Sequence, residues 1–495
     1  MLARDETTHL RMDGMDAFWT MYWPDIVLAA SLVLGIAGAI HAIMTKDDVR
    51  AATGWVGVIV LNPILGALIY LVLGVNRVRR AAIARRRRRS GAGMDDRETS
   101  PALDVAAASA PQFASLQRLG DKVSPFAVTA GNTLRLLQGG DDAYPAMLEA
   151  IRGARSSIAL QSYIFDNDPV GREIALALIE AAGRGVAVRV LIDAIGARYS
   201  RPQIVGLLRE GGVRTARFNG NLIGLRLPYA NLRCHRKLLV VDGDIAFTGG
   251  MNIRAQFSSL YADGPPTRDT HARICGPMVQ SLLAAFVQDW RFTTGRRLHG
   301  KAWESVPQPQ PAPSVMARAI LSGPDVTLGS NHSLVMGAIA VAQRSIRICS
   351  PYFLPDLTLT SALAIAAQRG IEVDIVIPSR NNLALVDAAM TAQLDQVLRP
   401  GCRVWRATGP FDHSKLMAVD GAWALIGSSN LDSRSLRLNF ELDVEIYDRG
   451  VAGEVDAAIR QRIASAWPET LATLRARPLL TRLRNRTVWL ASPYL

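Results

Sequence analysis

Two histidines, two lysines and two asparagines recur in this chain at identical spacing. The pattern His-x-Lys-x4-Asp-x6-Gly-x2-Asn runs from His235 through Lys237, Asp242 and Gly249 to Asn252, and again from His413 through Lys415, Asp420 and Gly427 to Asn430. A single His-x-Lys is ordinarily a solvated strand edge; two complete copies describe a site. Each copy lies in Val/Leu/Ile-rich sequence, LLVVDGDIAFTGG and LMAVDGAWALIGS. Side chains at i and i+2 of a strand share a face, which points His235 with Lys237, and His413 with Lys415, into one cleft. Asp-Gly after each apolar run signals a tight turn, so Gly249, Gly250, Gly427 and Ser428 return beside the site, where backbone without bulk approaches a phosphate.

This set of groups suits a phosphodiester. One imidazole attacks phosphorus and the other protonates the departing oxygen, while Lys237, Lys415, Asn252 and Asn430 hold the non-bridging oxygens as charge builds. These side chains supply the charge themselves, so the reading requires no metal and no cofactor. Asp242 and Asp420 sit in the predicted turns, with two roles open to them: a catalytic contact to substrate, or support of the local backbone and basic side chains. Asp269 and Glu441 follow their motifs in short strand-like segments, RDTHARI and NFELDVEI. A carboxylate there bonds the far nitrogen of a catalytic histidine and fixes its tautomer; for Asp269 a surface ion pair with Arg268 or Arg273 is the alternative. His271 and His332 are isolated and are left unassigned.

The two motifs, together with GSSNLDSRSLRLNFELDVEIYD from Gly427 to Asp448, resemble the phospholipase D superfamily and, within it, the bacterial cardiolipin synthases. Trp55, Asn62-Pro63, Gly66, Tyr70, Gly74 and Asn76-Arg77 are likewise similar to the second membrane segment of those synthases, so the resemblance covers most of the chain from its first apolar segment onward. It implies transfer of a phosphatidyl group from one phosphatidylglycerol to the terminal hydroxyl of another, with release of glycerol. It also implies a phosphohistidine on His235, with His413 moving the proton to and from the glycerol oxygen, although the motifs are too nearly symmetric for sequence to rank the histidines. One position departs from the pattern: Gly250 stands where the second copy has Ser428, so a hydroxyl contact to phosphate is expected on one side only. A change of acceptor to water or another alcohol gives a membrane-anchored phospholipase D. A nuclease fits less well, because no basic, aromatic-interleaved stretch lies outside residues 77 to 89. A scaffold with a decayed site fits poorly with two intact motifs.

The elements that must carry these residues repeat. SSIALQSYIF at 156 to 165 pairs with RSIRICSPYF at 344 to 353, and RGVAVRVLIDAIG at 184 to 196 with RGIEVDIVIPSRN at 369 to 381, in the same order as the motifs. Helical periodicity (MLEAIRGAR, REIALALIEAAGRG) alternates with β-branched runs, which predicts an α/β fold. The family fold implies two tandem phospholipase D-like α/β/α sandwich repeats facing one another, preceded by a two-helix transmembrane hairpin. The expected divisions are an N-terminal segment 1–23, two membrane helices in 24–75, a polybasic flexible linker 76–115, a first repeat 116–305, a Pro-rich linker 306–320 (PQPQPAPS), a second repeat 321–475 and a basic amphipathic tail 476–495.

Composition agrees with a membrane enzyme. Of the 495 residues, 49% are hydrophobic, and the run IVLAASLVLGIAGAIHAIM at 26 to 44 approaches the length of about 20 residues that spans a bilayer. Residues 51 to 75 form a second apolar segment with Asn62-Pro63 inside it. Asn62 is read either as functional or as the polar group that rescues a backbone broken by Pro63. The preceding stretch carries Asp5, Glu6, Asp13 and Asp16 rather than a basic n-region, which favours an anchor over a cleaved signal. Net charge is +13, and eight arginines fall between Arg77 and Arg89. That local excess points to anionic membrane lipid, phosphatidylglycerol included, and away from nucleic acid. Arginines just after a spanning helix are retained in the cytoplasm, so the expectation is a multi-pass protein of the bacterial inner membrane with a cytoplasmic catalytic part and the turn Thr45 to Arg50 outside. Residues Ser90 to Gln112 are small, polar and Ala/Pro-rich, a flexible tether. Cys234, Cys275, Cys349 and Cys402 lack metal-like spacing and are read as reduced. The C-terminal LLTRLRNRTVWLASPYL alternates apolar and basic residues, suiting either an anionic membrane surface or packing on the catalytic domain.

Overall fold

The computed structural model describes residues 6–46, 48–74, 103–219, 232–304, 310, 314–323, 327, 329–437 and 439–492. The chain divides into two compact units, residues 1–81 and 82–495. The arginine run from Arg77 to Arg89, and the tether from Ser90 as far as residue 102, lie outside the described residues.

In the N-terminal unit, α1 (Glu6–Thr45) contains the stretch Met21–Thr45, which is long and apolar enough to cross a membrane; only 6% of its most apolar window is buried, so its side chains have almost no protein to pack against. Among the described residues it is the one helix that meets this test. The second apolar segment, expected as a single span over 51–75, is instead broken into α2 (Val49–Leu61), α3 (Pro63–Ile69) and a wider π-helical turn, Tyr70–Gly74, with α2 and α3 both packed along α1. The break has a local cause. Pro63 has no N–H and drives the residue before it out of the helical region, and Asn62 is accordingly extended at φ −147° and ψ 92°. Its Oδ1 accepts from the Leu65 N–H at 3.1 Å, capping the new helix. His41, the polar interruption of the first apolar run, bonds the Tyr70 hydroxyl through Nδ1 at 2.7 Å.

The larger unit is mixed α/β. Its first half supplies β1 (Thr129–Gln138), β2 (Ser157–Ser162), β3 (Ala187–Asp193), β4 (Arg214–Phe218), β5 (Arg233–Cys234), β6 (Leu238–Val241), β7 (Ile245–Gly249) and β8 (Thr270–Cys275). Its second half supplies β9 (Val315–Ser322), β10 (Ser345–Cys349), β11 (Phe353–Leu354), β12 (Glu372–Pro378), β13 (Arg403–Ala407), β14 (Leu416–Val419), β15 (Trp423–Gly427), β16 (Leu431–Asp432), β17 (Asn439–Tyr447) and β18 (Ala466–Glu469). One continuous sheet runs β18-β13-β12-β10-β14-β15-β17-β9-β1-β8-β7-β6-β2-β3-β4. Read outward from the antiparallel β9–β1 seam, the two arms have the same order, β8-β7-β6-β2-β3-β4 on one side and β17-β15-β14-β10-β12-β13 on the other. The sheet strands nearest the site, β6, β14 and β15, are buried along their whole length, which is why they read as unbroken apolar runs instead of alternating.

Each half has its own apolar core, but the division in space differs from the division expected along the chain. Val105, Ala110, Phe113, Leu116 and Val128 belong to the core of the second half. The last part of the expected linker is therefore structured. Val105–Ala108 is a helical turn, Ser109 is buried with its hydroxyl donating to the Ala422 carbonyl at 2.5 Å, and the helix Phe113–Val123 packs on Ser330–Val341. Alanines that read as a tether form a helical turn when apolar Val105 and Phe113 flank them, because both find a core to enter. The expected Pro-rich linker is likewise shortened at its C-terminal end, where Val315 to Ile320 already belong to β9. The C-terminal segment forms the helix Leu479–Trp489, packed on the helix Ala384–Gln393.

Candidate active site

The two hairpins β6–β7 and β14–β15 carry the motifs, and their turns are alike. Asp242 and Gly243 have φ of 54° and 70°, Asp420 and Gly421 φ of 55° and 63°, the two consecutive positive φ values of a type I′ turn. These aspartates point to the backbone and do not line the cleft. Asp242 accepts N–H bonds from Arg155 (2.9 Å), Ser156 (2.7 Å) and Ser157 (2.9 Å); Asp420 accepts from Gln343, Arg344 and Ser345 at 2.9, 2.7 and 2.9 Å. Of the two roles open to them, the catalytic contact is thereby corrected: each clamps the entry to a strand that pairs with its own hairpin, β2 or β10. Burial pushes the Asp242 carboxyl upward, and the three N–H bonds outweigh it and hold the group below its usual range.

His235 to Lys237 and His413 to Lys415 precede β6 and β14, where a place inside the strand was expected. The backbone there is engaged by the opposite half: β5 pairs with β17, the His235 N–H donates to the Phe440 carbonyl at 2.9 Å, and the His413 N–H donates to the Arg268 carbonyl at 2.8 Å. The side chains follow the same exchange. His235 Nδ1 lies 3.0 Å from Glu441 Oε2 and 3.0 Å from the Ser428 carbonyl, both in the second half; His413 Nδ1 lies 2.9 Å from Asp269 Oδ2, in the first. Asp269 is buried against His413, so the surface pair with Arg268 or Arg273 does not form. Two acceptors flank His235 Nδ1, so that nitrogen carries the proton and Nε2 keeps its lone pair toward the cleft.

Glu441 is fully buried and fully used. Besides His235 it receives the Ser428 hydroxyl at 2.6 Å and the Asn439 amide at 3.1 Å. Ser428, expected to touch phosphate, is therefore bound to Glu441, and its oxygen also accepts from the Leu442 N–H at 2.9 Å. The glycine at the matching position has a steric reason. A Cβ on Gly250 would lie 2.5 Å from Asp269 Oδ1, so the shorter carboxylate reaches its histidine only because nothing fills that space. Gly249, at φ 154°, is equally confined, a Cβ there lying 2.7 Å from His271 Nδ1. The glycines thus admit the supporting residues.

Lys237 and Lys415 are buried, each ammonium donating to the carbonyl of its own motif histidine, at 2.7 Å for Lys237. Burial brings Lys237 down to about 7 and Lys415 down to about 8. Burial also lowers both imidazoles. Glu441 opposes the effect at His235, whereas the neighbouring Lys415, Lys237 and His235 charges drive His413 well below its ordinary value. Asp269 is raised by burial to about 6; Glu441, which burial would also raise, is held low by His235 and Lys237. The site thus crowds four groups that want to be cations, which an anionic phosphodiester would relieve. Asn252 Oδ1 accepts from the Ile164 N–H at 3.1 Å, and Asn430 is buried with Nδ2 3.3 Å from the Ser435 hydroxyl and Oδ1 without a partner among the described residues.

His235, His413, Asn252 and Asn430 open on one cleft of about 430 Å³ between the halves, walled also by Tyr163 and Tyr352. These two tyrosines stand edge-on to His235 and His413, with ring centroids 5.4 and 6.4 Å away. They, Asn439 and Arg236 were not singled out from sequence. The tyrosines had a signal in the repeated SYIF and SPYF, while Arg236, the residue inside the first His-x-Lys, had none. Its guanidinium donates to the Glu441 carbonyl at 2.9 Å and to both oxygens of Asp289 at 2.7 Å, anchoring the strand that carries Glu441. His271 is buried and driven by desolvation to about 4, and His332 bonds Asp356 at 3.2 Å; neither lines the cleft. Among the described residues no group of three or more His, Cys, Asp or Glu could hold a metal ion.

A family model described as cardiolipin synthase, PLD-like domain matches residues 147–261 and 335–463, and one described as phospholipase D-nuclease N-terminal matches residues 33–74. Cardiolipin synthase A of Pseudomonas aeruginosa is 33% identical over 474 residues, covering 95% of this chain and 96% of the relative. Cardiolipin synthase A of Pseudomonas syringae is 33% identical over 488 residues, covering 98% of this chain and all of the relative. Among solved structures, phosphatidylserine synthase of Haemophilus influenzae superposes with a TM-score of 0.59 at 16% identity, over 77% of this chain and all of the other, a likeness of fold. With paired motifs meeting in one cleft and relatives matched from end to end, the chain belongs to the cardiolipin synthase family of phospholipase D-like proteins.

Proposed function

We propose that the protein is a cardiolipin synthase that transfers a phosphatidyl group between two phosphatidylglycerol molecules, through a covalent intermediate on His235. The observation that carries this reading is the crossed arrangement in which each motif histidine meets a carboxylate of the opposite half, Glu441 on His235 and Asp269 on His413. In the first step, His235 Nε2 attacks phosphorus, the bond from phosphorus to the glycerol oxygen breaks, and His413 gives that oxygen a proton. The donor phosphate brings negative charge beside His413 and both lysines, restoring the protonation that burial opposes. In the second step, His413 takes the proton from the terminal hydroxyl of the acceptor, whose oxygen attacks phosphorus as the phosphorus–nitrogen bond breaks. One phosphodiester replaces another, so no nucleotide is consumed. Glu441 and Asp269 favour the imidazolium and hold each ring in place, while Lys237, Lys415, Asn252 and Asn430 stabilise the phosphoryl oxygens. Rotation of the Asn430 amide would let Oδ1 accept from Ser435 and free Nδ2 for that task.

The larger unit is read as two phospholipase D-like sandwich repeats sharing one sheet, and the N-terminal unit as a two-pass membrane hairpin, α1 crossing and α2 with α3 returning. The arginines from Arg77 to Arg89 support a cytoplasmic catalytic unit at the bacterial inner membrane. The apolar, unburied face of Met21–Thr45 supports membrane insertion. The decisive experiment incubates purified protein with phosphatidylglycerol alone and analyses the lipids. Cardiolipin with an equimolar amount of free glycerol is expected; phosphatidic acid in place of cardiolipin would show that water is the acceptor.

A further inference from the structure

The C-terminal helix Leu479–Trp489 is amphipathic twice over. One face seats on the catalytic unit: Asn485 is buried, Val488 and Trp489 pack against the second-half core, Trp489 Nε1 donates to Gln393 at 3.3 Å and Arg486 pairs with Asp395 at 2.8 Å. The other face carries Leu479, Leu480, Leu483 and Leu490, which are 60 to 79% exposed. Their spacing of three, four and seven residues makes one stripe along the helix. Isolated exposed leucines are ordinary, whereas a contiguous apolar stripe marks an interaction surface.

Charge identifies the partner. Between Thr470 and Leu495 there are five arginines (Arg475, Arg477, Arg482, Arg484, Arg486) and no acidic residue. Arg477 and Arg486 pair with Glu469 and Asp395, which leaves Arg475, Arg482 and Arg484; leucines flanked by such arginines, whose stems lie along apolar surface while their heads reach phosphates, fit an anionic bilayer surface. The helix on which this one leans, Ala384–Gln393, follows Leu383, which is exposed and forms part of the cleft wall, and itself begins with exposed Leu385. Apolar side chains therefore continue from the neighbouring helix to the cleft rim, where a lipid must enter.

We propose that the Leu479–Trp489 helix docks the catalytic unit on anionic phospholipid, a contact separate from the N-terminal helices. The proposal rests on the lipid-substrate reading above. Full-length protein carrying Leu483→Cys, labelled with the polarity-sensitive dye NBD and reconstituted in phosphatidylglycerol vesicles, should show blue-shifted emission and quenching by doxyl-labelled lipid. The same label at exposed Leu176→Cys, on the helix Pro169–Gly183 of the first half, should show neither. In parallel, the variant with Leu479, Leu480, Leu483 and Leu490 all changed to Ser should lose at least about tenfold in cardiolipin formation on vesicles, a modest loss because the N-terminal unit keeps the local lipid concentration high. Its rate in detergent micelles should match the unsubstituted protein. Blue shift without lipid quenching would mean that protein covers the stripe, a second copy or another part of this chain, and would overturn the proposal. So would full vesicle activity in the serine variant. If the unsubstituted protein makes no cardiolipin in either assay, the catalytic reading fails instead, and the quenching result still decides the docking.

Discussion

Replacing Glu441 with Gln keeps the shape of the side chain and removes its charge. In the structure this carboxylate is wholly buried and lies 3.0 Å from His235 Nδ1. At an effective dielectric constant of about 20, a unit charge pair at that separation interacts by 332/(20 × 3.0), or about 5.5 kcal/mol, which is an upper bound. A net charge-assisted hydrogen bond is worth about 1.5–3 kcal/mol and is a lower one. At about 1.4 kcal/mol per decade, the transfer rate should fall by about tenfold to 10⁴-fold, toward the larger figure because Gln also presents an N–H to groups that need an acceptor. The assay follows cardiolipin from phosphatidylglycerol in micelles, with an alkaline quench to trap phosphohistidine, whose phosphorus–nitrogen bond is labile in acid. Trapped intermediate should decline with the rate, while circular dichroism and melting stay close to the parent. A rate within about threefold of the parent would refute the idea that Glu441 supports the histidine in its charged state.

Changing either His235 or His413 to Ala should abolish transfer with the fold retained, since each step uses both nitrogens; comparison of the trapped phosphohistidine in the two variants identifies the nucleophile. With Lys237 near 7 and Lys415 near 8, kcat/KM should fall as pH rises through about 8, because the free site loses the cations that receive phosphate; the kcat profile should turn down at higher pH, since bound phosphate raises both lysines. The same depression means that the unfolded chain holds protons the folded one has shed between about pH 7 and 10.4, so the lysines make the substrate-free protein more stable as pH rises across that window. Asp242→Ala should lower stability by about 2–3 kcal/mol and leave the rate of the folded fraction unchanged, because it removes three N–H acceptances and no cleft contact. That contribution is present above the usual carboxylate pKa and disappears as pH falls through the lowered folded value. Finally, treatment with EDTA should leave the rate within about twofold, because lysine and histidine supply the positive charge that a metal would bring.

The histidines, lysines and asparagines were legible because the chemistry demands those types and the duplication repeats their spacing. Their supports were less so. Asp269 and Glu441 follow the motifs at different distances, and the link from each to its histidine crosses between halves, which a linear pattern does not encode. Asp242 has the look of a catalytic carboxylate in a motif, yet a type I′ turn also wants Asp before Gly, and three N–H groups claim it. Ser428 resembled a phosphate ligand for want of knowing that Glu441 stands 2.6 Å away. The α/β class was plain from periodicity; the mixing of residues 105–128 into the second core was not, since short alanine-rich sequence reads as tether unless its buried neighbours are known.

The exchange of carboxylates between the halves constrains how such a chain can evolve. The unit around each motif imidazole is assembled from positions 206 residues apart in one case and 144 in the other, so neither repeat owns a complete one. Neither repeat can then change alone: a substitution at position 269 is felt by the histidine of the other repeat. Substitutions should therefore be correlated across the seam more strongly than within each repeat, and a gene split at the linker should give two inert products that regain activity only together.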